Sequence, residues 1–257
     1  MKTTIEEIIE SRKNWFKGWF NSEFYRKLYT HRNEEEAASF VKALLFELQP
    51  SPQSKILDLG CGNGRHARHL AARGHLVTGL DLAFSSIRYA RKWQNEKLQF
   101  FRHDMREPFG NSCFDYVFNF FTSFGYFDTD LENEQVIANI SHSLKNNGWL
   151  MMDYINVSQA ERNLLPYEER QIDGITYRLK RWTDSKYIHK SIEVDNVRAV
   201  ELFRFTEKVR KFCTGDFNAM FERHGLKLWQ VYGDYALSEY VEESPRLILL
   251  AQKRPAG

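Results

Sequence analysis

Apolar and polar positions along the chain change rhythm twice. Between Lys55 and Asp153, short apolar runs alternate with stretches whose apolar residues return every three or four positions, as in strands alternating with helices. Ile56, Leu57 and Leu59 predict a first strand, set off from the preceding chain by Pro50-Ser51-Pro52. Arg65–Arg73 predicts a helix that Gly74 ends. A second strand is predicted over His75–Asp81, a helix over Ser85–Gln94, a third strand over Leu98–Phe101 and a fourth over Phe114–Phe120. Thr129 and Glu132 have the spacing of a capping pair, ahead of a helix face made by Val136, Ile137, Ile140 and Leu144. A fifth strand follows over Gly148–Asp153. Such alternation predicts a parallel sheet with helices on both faces.

The flanks read differently. Asn33 and Glu36 have capping spacing, and Ala37, Phe40, Val41, Leu44, Leu45 and Leu48 then repeat at helical intervals. Trp15, Phe16, Trp19, Phe20, Phe24, Tyr25 and Tyr29 come before them. Residues 1–50 are therefore expected to form a helical cover, with most of these rings packed and a few lining a site. Beyond residue 155, the runs Ile175–Trp182, Tyr187–Val194 and Leu202–Val209 alternate polar and apolar residues, which predicts an antiparallel sheet with one wet face. This lid insertion is placed over 156–212, above the strand ends. Phe217, Met220 and Phe221 mark a helix ended by Gly225, and Leu226–Tyr232 with Arg246–Ala251 a closing strand pair. The expected organisation is one domain: cover 1–50, core 51–155, lid 156–212, and a C-terminal helix and strand pair over 213–257.

Composition narrows the partners. A chain of 257 residues with net charge +2 can bury a substantial core and shows no electrostatic bias toward nucleic acid or membrane. Cys61, Cys113 and Cys213 are far apart and lack metal-ligand spacing, which predicts reduced thiols, no metal site and a cytoplasmic protein. Met1–Glu10 is polar and acidic, unlike a signal peptide, and no run of about 18 apolar residues is present to span a bilayer.

Chemistry concentrates after the first strand, where Asp58 precedes Gly60, Gly62 and Gly64. Strand, glycine turn and helix bring a nucleotide-like ligand against backbone N–H groups. The spacing is G-x-G-x-G, whereas a dinucleotide fingerprint is G-x-G-x-x-G. An acid at the strand end suits a ligand that brings positive charge, such as a sulfonium or an amino group. Cys61 reads as a small residue filling the turn. Asp81, ending the second strand, has the chemistry to accept two hydrogen bonds from a ribose diol. Asp104 follows the third strand in the same way and can accept from an adenine amino group while Met105 covers the ring.

Asp58/Gly60/Gly62/Gly64, Asp81, Asp104-Met105 and the Phe114–Phe120 strand resemble, in order and spacing, the successive motifs of class I S-adenosylmethionine-dependent methyltransferases. The resemblance covers about residues 50–155. It implies a doubly wound seven-stranded sheet of order 3-2-1-4-5-7-6, with the first turn beneath the methionine part of S-adenosylmethionine. It also implies that Asp81 holds the ribose, that Asp104 and Met105 meet the adenine, and that Leu82 packs against it. Phe120–Phe127, the Tyr25…Tyr29…Arg32 stretch and the β-rich insertion look like the small-molecule group of the family, including amino-sugar N-methyltransferases. Tyr29 and Arg32, the latter toward the cofactor carboxylate, are thereby cofactor candidates, as is Asn119. Asn119-Phe120-Phe121-Thr122 lacks the prolines that grip a flipped base in nucleic-acid amino-methyltransferases, so a nucleic-acid substrate is not expected.

The implied reaction carries the methyl of S-adenosylmethionine to a small-molecule oxygen or nitrogen, leaving S-adenosylhomocysteine. It requires alignment and exclusion of water. A base is needed for a hydroxyl acceptor, and an amine must arrive neutral. Tyr25, His31 and Tyr126 are the catalytic candidates, with Asp153 and Tyr154 also near strand ends. Arg178, Lys180, Arg181, Lys190 and Arg204 of the insertion are interspersed with Asp184, Glu193 and Asp195, as on a solvated strand face. Two other readings share much of this pattern: a non-catalytic S-adenosylmethionine-binding regulatory module, and an NAD-linked oxidoreductase, which the glycine spacing opposes. Oligomeric state is not encoded legibly.

Overall fold

The computed structural model describes residues 15–29, 34–196 and 201–255. Its core is a seven-stranded sheet. Strands β1 (Lys55–Leu59), β2 (Leu76–Asp81), β3 (Leu98–Arg102), β4 (Phe114–Asn119) and β5 (Leu144–Ile155) are parallel. A lid sheet, β6 (Tyr167–Ile172), β7 (Ile175–Thr183), β8 (Tyr187–Asn196) and β9 (Glu201–Arg210), is antiparallel throughout. β10 (Leu226–Tyr232) and β11 (Arg246–Lys253) complete the core sheet, with β11 antiparallel to both β5 and β10. The order β3-β2-β1-β4-β5-β11-β10 is the expected 3-2-1-4-5-7-6 with the lid strands left out of the count.

Alternation along each strand explains the two buried faces. Leu57 and Leu59, Val117, Leu150 and Met152, and Leu247 and Leu249 fall on one side with Val136, Ile137 and Ile140 of helix α6 (Asp130–Ser143) and Phe217 and Phe221 of α8 (Thr214–Arg223). Ile56, Phe118, Met151, Ile248 and Leu250 fall on the other. There they meet α3 (Glu34–Leu48), α4 (Arg65–Ala71) and α5 (Phe84–Ala90). The period of two along a strand puts neighbours on opposite faces, so both must be covered. The predicted capping pair is present: Thr129 Oγ1 accepts from the Glu132 amide at 3.2 Å, and Glu132 Oε2 accepts from the Thr129 amide at 3.1 Å.

The N-terminal helices α1 (Trp15–Asn21) and α2 (Glu23–Leu28) serve the lid. Trp19, Phe24 and Leu28 pack with Ile175, Tyr177, Leu179, Ile192 and Val194 in a third apolar cluster. The short helix α7 (Val157–Arg162) links β5 to the lid.

Three expectations need correction. The lid has four strands, because β6 was hidden by its Glu168, Glu169 and Arg170; it is an edge strand whose residues alternate between exposed and half-buried. The helix expected over Ser85–Gln94 stops at Ala90 and tightens into a 3₁₀ turn over Arg91–Trp93. β5 starts at Leu144 rather than Gly148. Asn147, at φ +61°, absorbs the register shift between Phe114 and Tyr116, and the polar Lys145-Asn146-Asn147 masked that first part of the strand. Asn33 lies outside the described residues.

Candidate active site

The sheet order reverses between β1 and β4, and the crevice beyond the carboxyl ends of these strands is where such folds bind ligands. A cavity of about 660 Å³ occupies that place. The glycine turn forms its floor. The amides of Gly60 and Cys61 both donate to the Leu80 carbonyl, at 2.7 and 3.0 Å, tying the turn to the end of β2. The Gly62 amide donates to Asp81 Oδ2 at 2.8 Å, and the Ala83 amide to Oδ1 at 2.7 Å. Asp81 is thus oriented by the turn it helps to hold, and each oxygen keeps a lone pair for a ligand. Burial pushes its carboxyl above the ordinary range, against the pull of the two amides.

Gly60 and Gly64 have φ of +77° and +78°. A Cβ on Gly64 would lie 2.5 Å from Phe100 Cζ. Gly64→Ala combines left-handed strain with overpacking and should cost about 2–4 kcal/mol. Chemical denaturation reads this directly, and an unchanged midpoint would contradict it.

Asp58 and Asn119 do not line the cavity. Asn119 Nδ2 donates to the Leu59 carbonyl at 2.7 Å, bracing the turn from behind. Asp58 is 1% exposed, and neither carboxylate oxygen has a hydrogen-bond partner among the described residues. Burial, then the charge of Asp81, pushes its carboxyl up to about 8; the nearby Ala67 amide and Arg65 offset this only partly. The Cys61 thiol is likewise pushed up by burial.

At one end, Leu82, Asp104 and Met105 line the wall. Asp104 Oδ1 accepts from the amide and Nε of Arg106, both at 3.1 Å, and Oδ2 from Nη2 at 2.7 Å. Burial alone would raise this carboxyl, but Arg106 outweighs it and holds it below the ordinary range. Oδ2 alone retains capacity for a second donor.

At the other end the cover and lid form the roof. Tyr25, Tyr29 and Tyr126 line it, with Phe20 between Tyr25 and Tyr126 at ring-centroid distances of 5.0 and 5.3 Å. Glu207 is held by Trp19 Nε1 at 2.5 Å, the Tyr29 hydroxyl at 3.0 Å and Lys190 Nζ at 2.7 Å. Burial opposes the Glu207 charge, yet Lys190 and the two hydrogen bonds keep its carboxyl below the usual range. The predicted solvated face is real for Arg178 and Arg204, which pair with Glu169 and Glu193 of the lid itself, whereas Arg181 stands opposite Lys190 on the other face and pairs with Glu168. Lys190 departs from it, because it turns into the cavity.

Residues 120–123 form the remaining wall. Phe121 and Thr122 are both left-handed, at φ +56° and +53°. Asp153 holds them there: its Oδ2 accepts from the Phe121 amide and its backbone carbonyl from the Thr122 amide, both at 2.8 Å. Arg246 donates to Asp153 Oδ1 and, at 2.8 Å, to Thr122 Oγ1. His66 stacks on Phe120 at 4.1 Å. Tyr154 is no base candidate in this geometry, since it is fully buried and its hydroxyl donates to the Arg210 carbonyl at 2.5 Å.

Of the predicted site residues, Tyr25, Tyr29, Gly60, Cys61, Gly62, Asp81, Leu82, Asp104, Met105 and Tyr126 converge on this one cavity. His31 and Arg32 lie outside the described residues. Sequence reasoning missed Glu207, Lys190, His66 and Arg246 as part of it.

Residues 56–148 match the family model described as a methyltransferase domain. Over that stretch, which is less than half of the chain, it resembles a methyltransferase domain. A putative methyltransferase of Bacillus subtilis (strain 168) is 28% identical over 238 residues, covering 89% of this chain and 94% of that protein. A dTDP-3-amino-3,4,6-trideoxy-alpha-D-glucopyranose N,N-dimethyltransferase of Streptomyces venezuelae is 22% identical, covering 88% and 93%. The crystal structure of an S-adenosylmethionine-dependent methyltransferase from Clostridium acetobutylicum shares the fold, with TM-score 0.76 and 16% identity over 90% of this chain and 96% of that one.

The chain is an enzyme by its match to methyltransferases, and the donor of the solved relative, S-adenosylmethionine, can be set against its cavity. Its residues fit that donor. Two unpartnered carboxylate oxygens buried beneath the turn call for positive charge nearby, and Asp81 keeps acceptor capacity beside it. Among the described residues no helix is long and apolar enough to cross a membrane, and no cluster of His, Cys, Asp and Glu has metal-binding geometry.

Proposed function

We propose that this methyltransferase acts on a nitrogen or oxygen of a small molecule enclosed between the glycine turn and the roof. The observation that carries this reading is the roof itself: cover and lid together place Tyr25, Tyr29, Lys190 and Glu207 on the same cavity as the donor floor. Such an enclosure suits a small acceptor rather than a polymer.

In this reading Gly60–Gly62 carry the methionine part of S-adenosylmethionine, Asp81 takes the ribose diol, and Leu82, Asp104 and Met105 take the adenine. The sulfonium supplies an already activated methyl. The chain's own work is to align the acceptor, exclude water with its aromatic walls and provide a place for the acceptor's proton. That alignment is worth up to roughly 7–11 kcal/mol. Tyr25 and Tyr126 are the proton-handling candidates at the cavity wall. Relatives that methylate amino sugars support an amine as the first acceptor class to try.

The test is product formation with S-adenosylmethionine and a panel of small amines and alcohols, followed as S-adenosylhomocysteine release. Turnover with small acceptors and none with RNA or DNA is expected. Turnover confined to nucleic acid would overturn the reading, and binding without turnover on any acceptor would favour a regulatory module.

A further inference from the structure

Among the described residues, Asp58 is the one strongly buried acid that the roles above leave unused. Its backbone pairs with Gly79 of β2 on one side and Phe118 of β4 on the other, which fixes its carboxyl beneath the glycine turn. The side chain is 1% exposed and both oxygens are without hydrogen-bond partners among the described residues. An ionised carboxylate in such a place is costly unless a positive charge comes near.

The surrounding groups do not supply enough. β2 contributes a second carboxyl, Asp81, which repels the charge. The turn contributes the Cys61 thiol, itself pushed up by burial and by both acids. Helix α4 offers the Ala67 amide and the Arg65 charge, which offset burial only in part, while its His66 stacks on Phe120. β4 offers Asn119, whose amide is committed to the Leu59 carbonyl.

We propose that Asp58 is protonated in the ligand-free protein, gives up that proton when a sulfonium donor binds on the turn above it, and takes a proton up again once the sulfur is neutral. This rests on the reading that the Gly60–Gly62 turn carries the methionine part of the donor. When the methyl is transferred, the carbon–sulfur bond breaks and its electron pair stays on sulfur. The acceptor gains the methyl and loses its own proton to a base or solvent; Asp58 separately takes one from solvent. A buried acid that does not line the cavity would thus distinguish the charged donor from its neutral product.

The direction with pH follows by linkage. Donor binding that expels a proton tightens as pH rises, by up to about tenfold per unit, until the carboxyl is already ionised in the free protein. That limit lies near the value of about 8 to which burial pushes Asp58. Asp81 meets the same ribose in donor and product, so its titration cancels in the ratio of the two affinities.

Calorimetry of wild type and Asp58→Asn in buffers of different ionisation enthalpy, near neutral pH, counts the protons. With S-adenosylmethionine the wild type should release about one proton more than Asp58→Asn, and with S-adenosylhomocysteine the two should agree. The ligand's own amino group is the same in both proteins and drops out of the comparison. Infrared difference spectra of the wild type alone give a second readout. A protonated-carboxyl band should vanish on binding S-adenosylmethionine and persist with S-adenosylhomocysteine. Equal proton release by the two proteins, or a band unchanged by the donor, overturns the proposal. No donor binding at all overturns instead the reading of the turn on which it rests.

Discussion

Asp81→Ala is expected to weaken S-adenosylmethionine binding by about 100-fold or more. A carboxylate that accepts from a ribose diol makes charge-assisted hydrogen bonds worth roughly 1.5–3 kcal/mol each, and two are lost together. The substitution also removes the acceptor for the Gly62 amide and so loosens the proposed donor floor. Asp81→Asn, which keeps one acceptor oxygen, should lose less. Calorimetric titration of both variants measures the loss, and an affinity equal to wild type would remove Asp81 from the site.

The second large effect is on stability. Asp153→Ala should cost up to about 3–5 kcal/mol, because it leaves the half-buried Arg246 guanidinium without its buried counter-charge. It also frees the amide of Phe121, so that two left-handed residues lose the contact that holds them. Arg246 and Tyr235, which donates to Asp153 Oδ2 at 3.1 Å, come from the C-terminal part of the chain. The pair therefore fastens the wall after β4 to the last strands of the sheet. Chemical denaturation of Asp153→Ala should show a clear drop in midpoint, and Asp153→Asn a smaller one. A midpoint at the wild-type value would mean that the wall is held by something else.

Much of this architecture is legible because it depends on local rules. Asp58, the three glycines and Asp81 mark a strand, a turn and a second strand end within a short span, and the period of two along each core strand needs no distant partner to be seen. The roof was less legible for a physical reason. Phe203, Phe205, Glu207 and Val209 lie on one face of β9, and Ile188, Lys190, Ile192 and Val194 on one face of β8. Each face is apolar except for one charge, and the strand register places Lys190 directly opposite Glu207. A single charge on an apolar face reads as noise until the pairing is known; two charges opposite each other form a half-buried ion pair over the cavity. Arg246 was hidden in the same way, since nothing near it in sequence shows that it meets Asp153. β6 was lost because an edge strand with an exposed side carries the charges expected of a loop.

We propose the cavity between the glycine turn and the roof as the donor site for S-adenosylmethionine. Isothermal titration of the wild-type protein with S-adenosylmethionine tests it most directly. One binding site per chain is predicted, with S-adenosylhomocysteine competing for it and NAD failing to do so. Absence of saturable S-adenosylmethionine binding, or its displacement by NAD, would contradict the account.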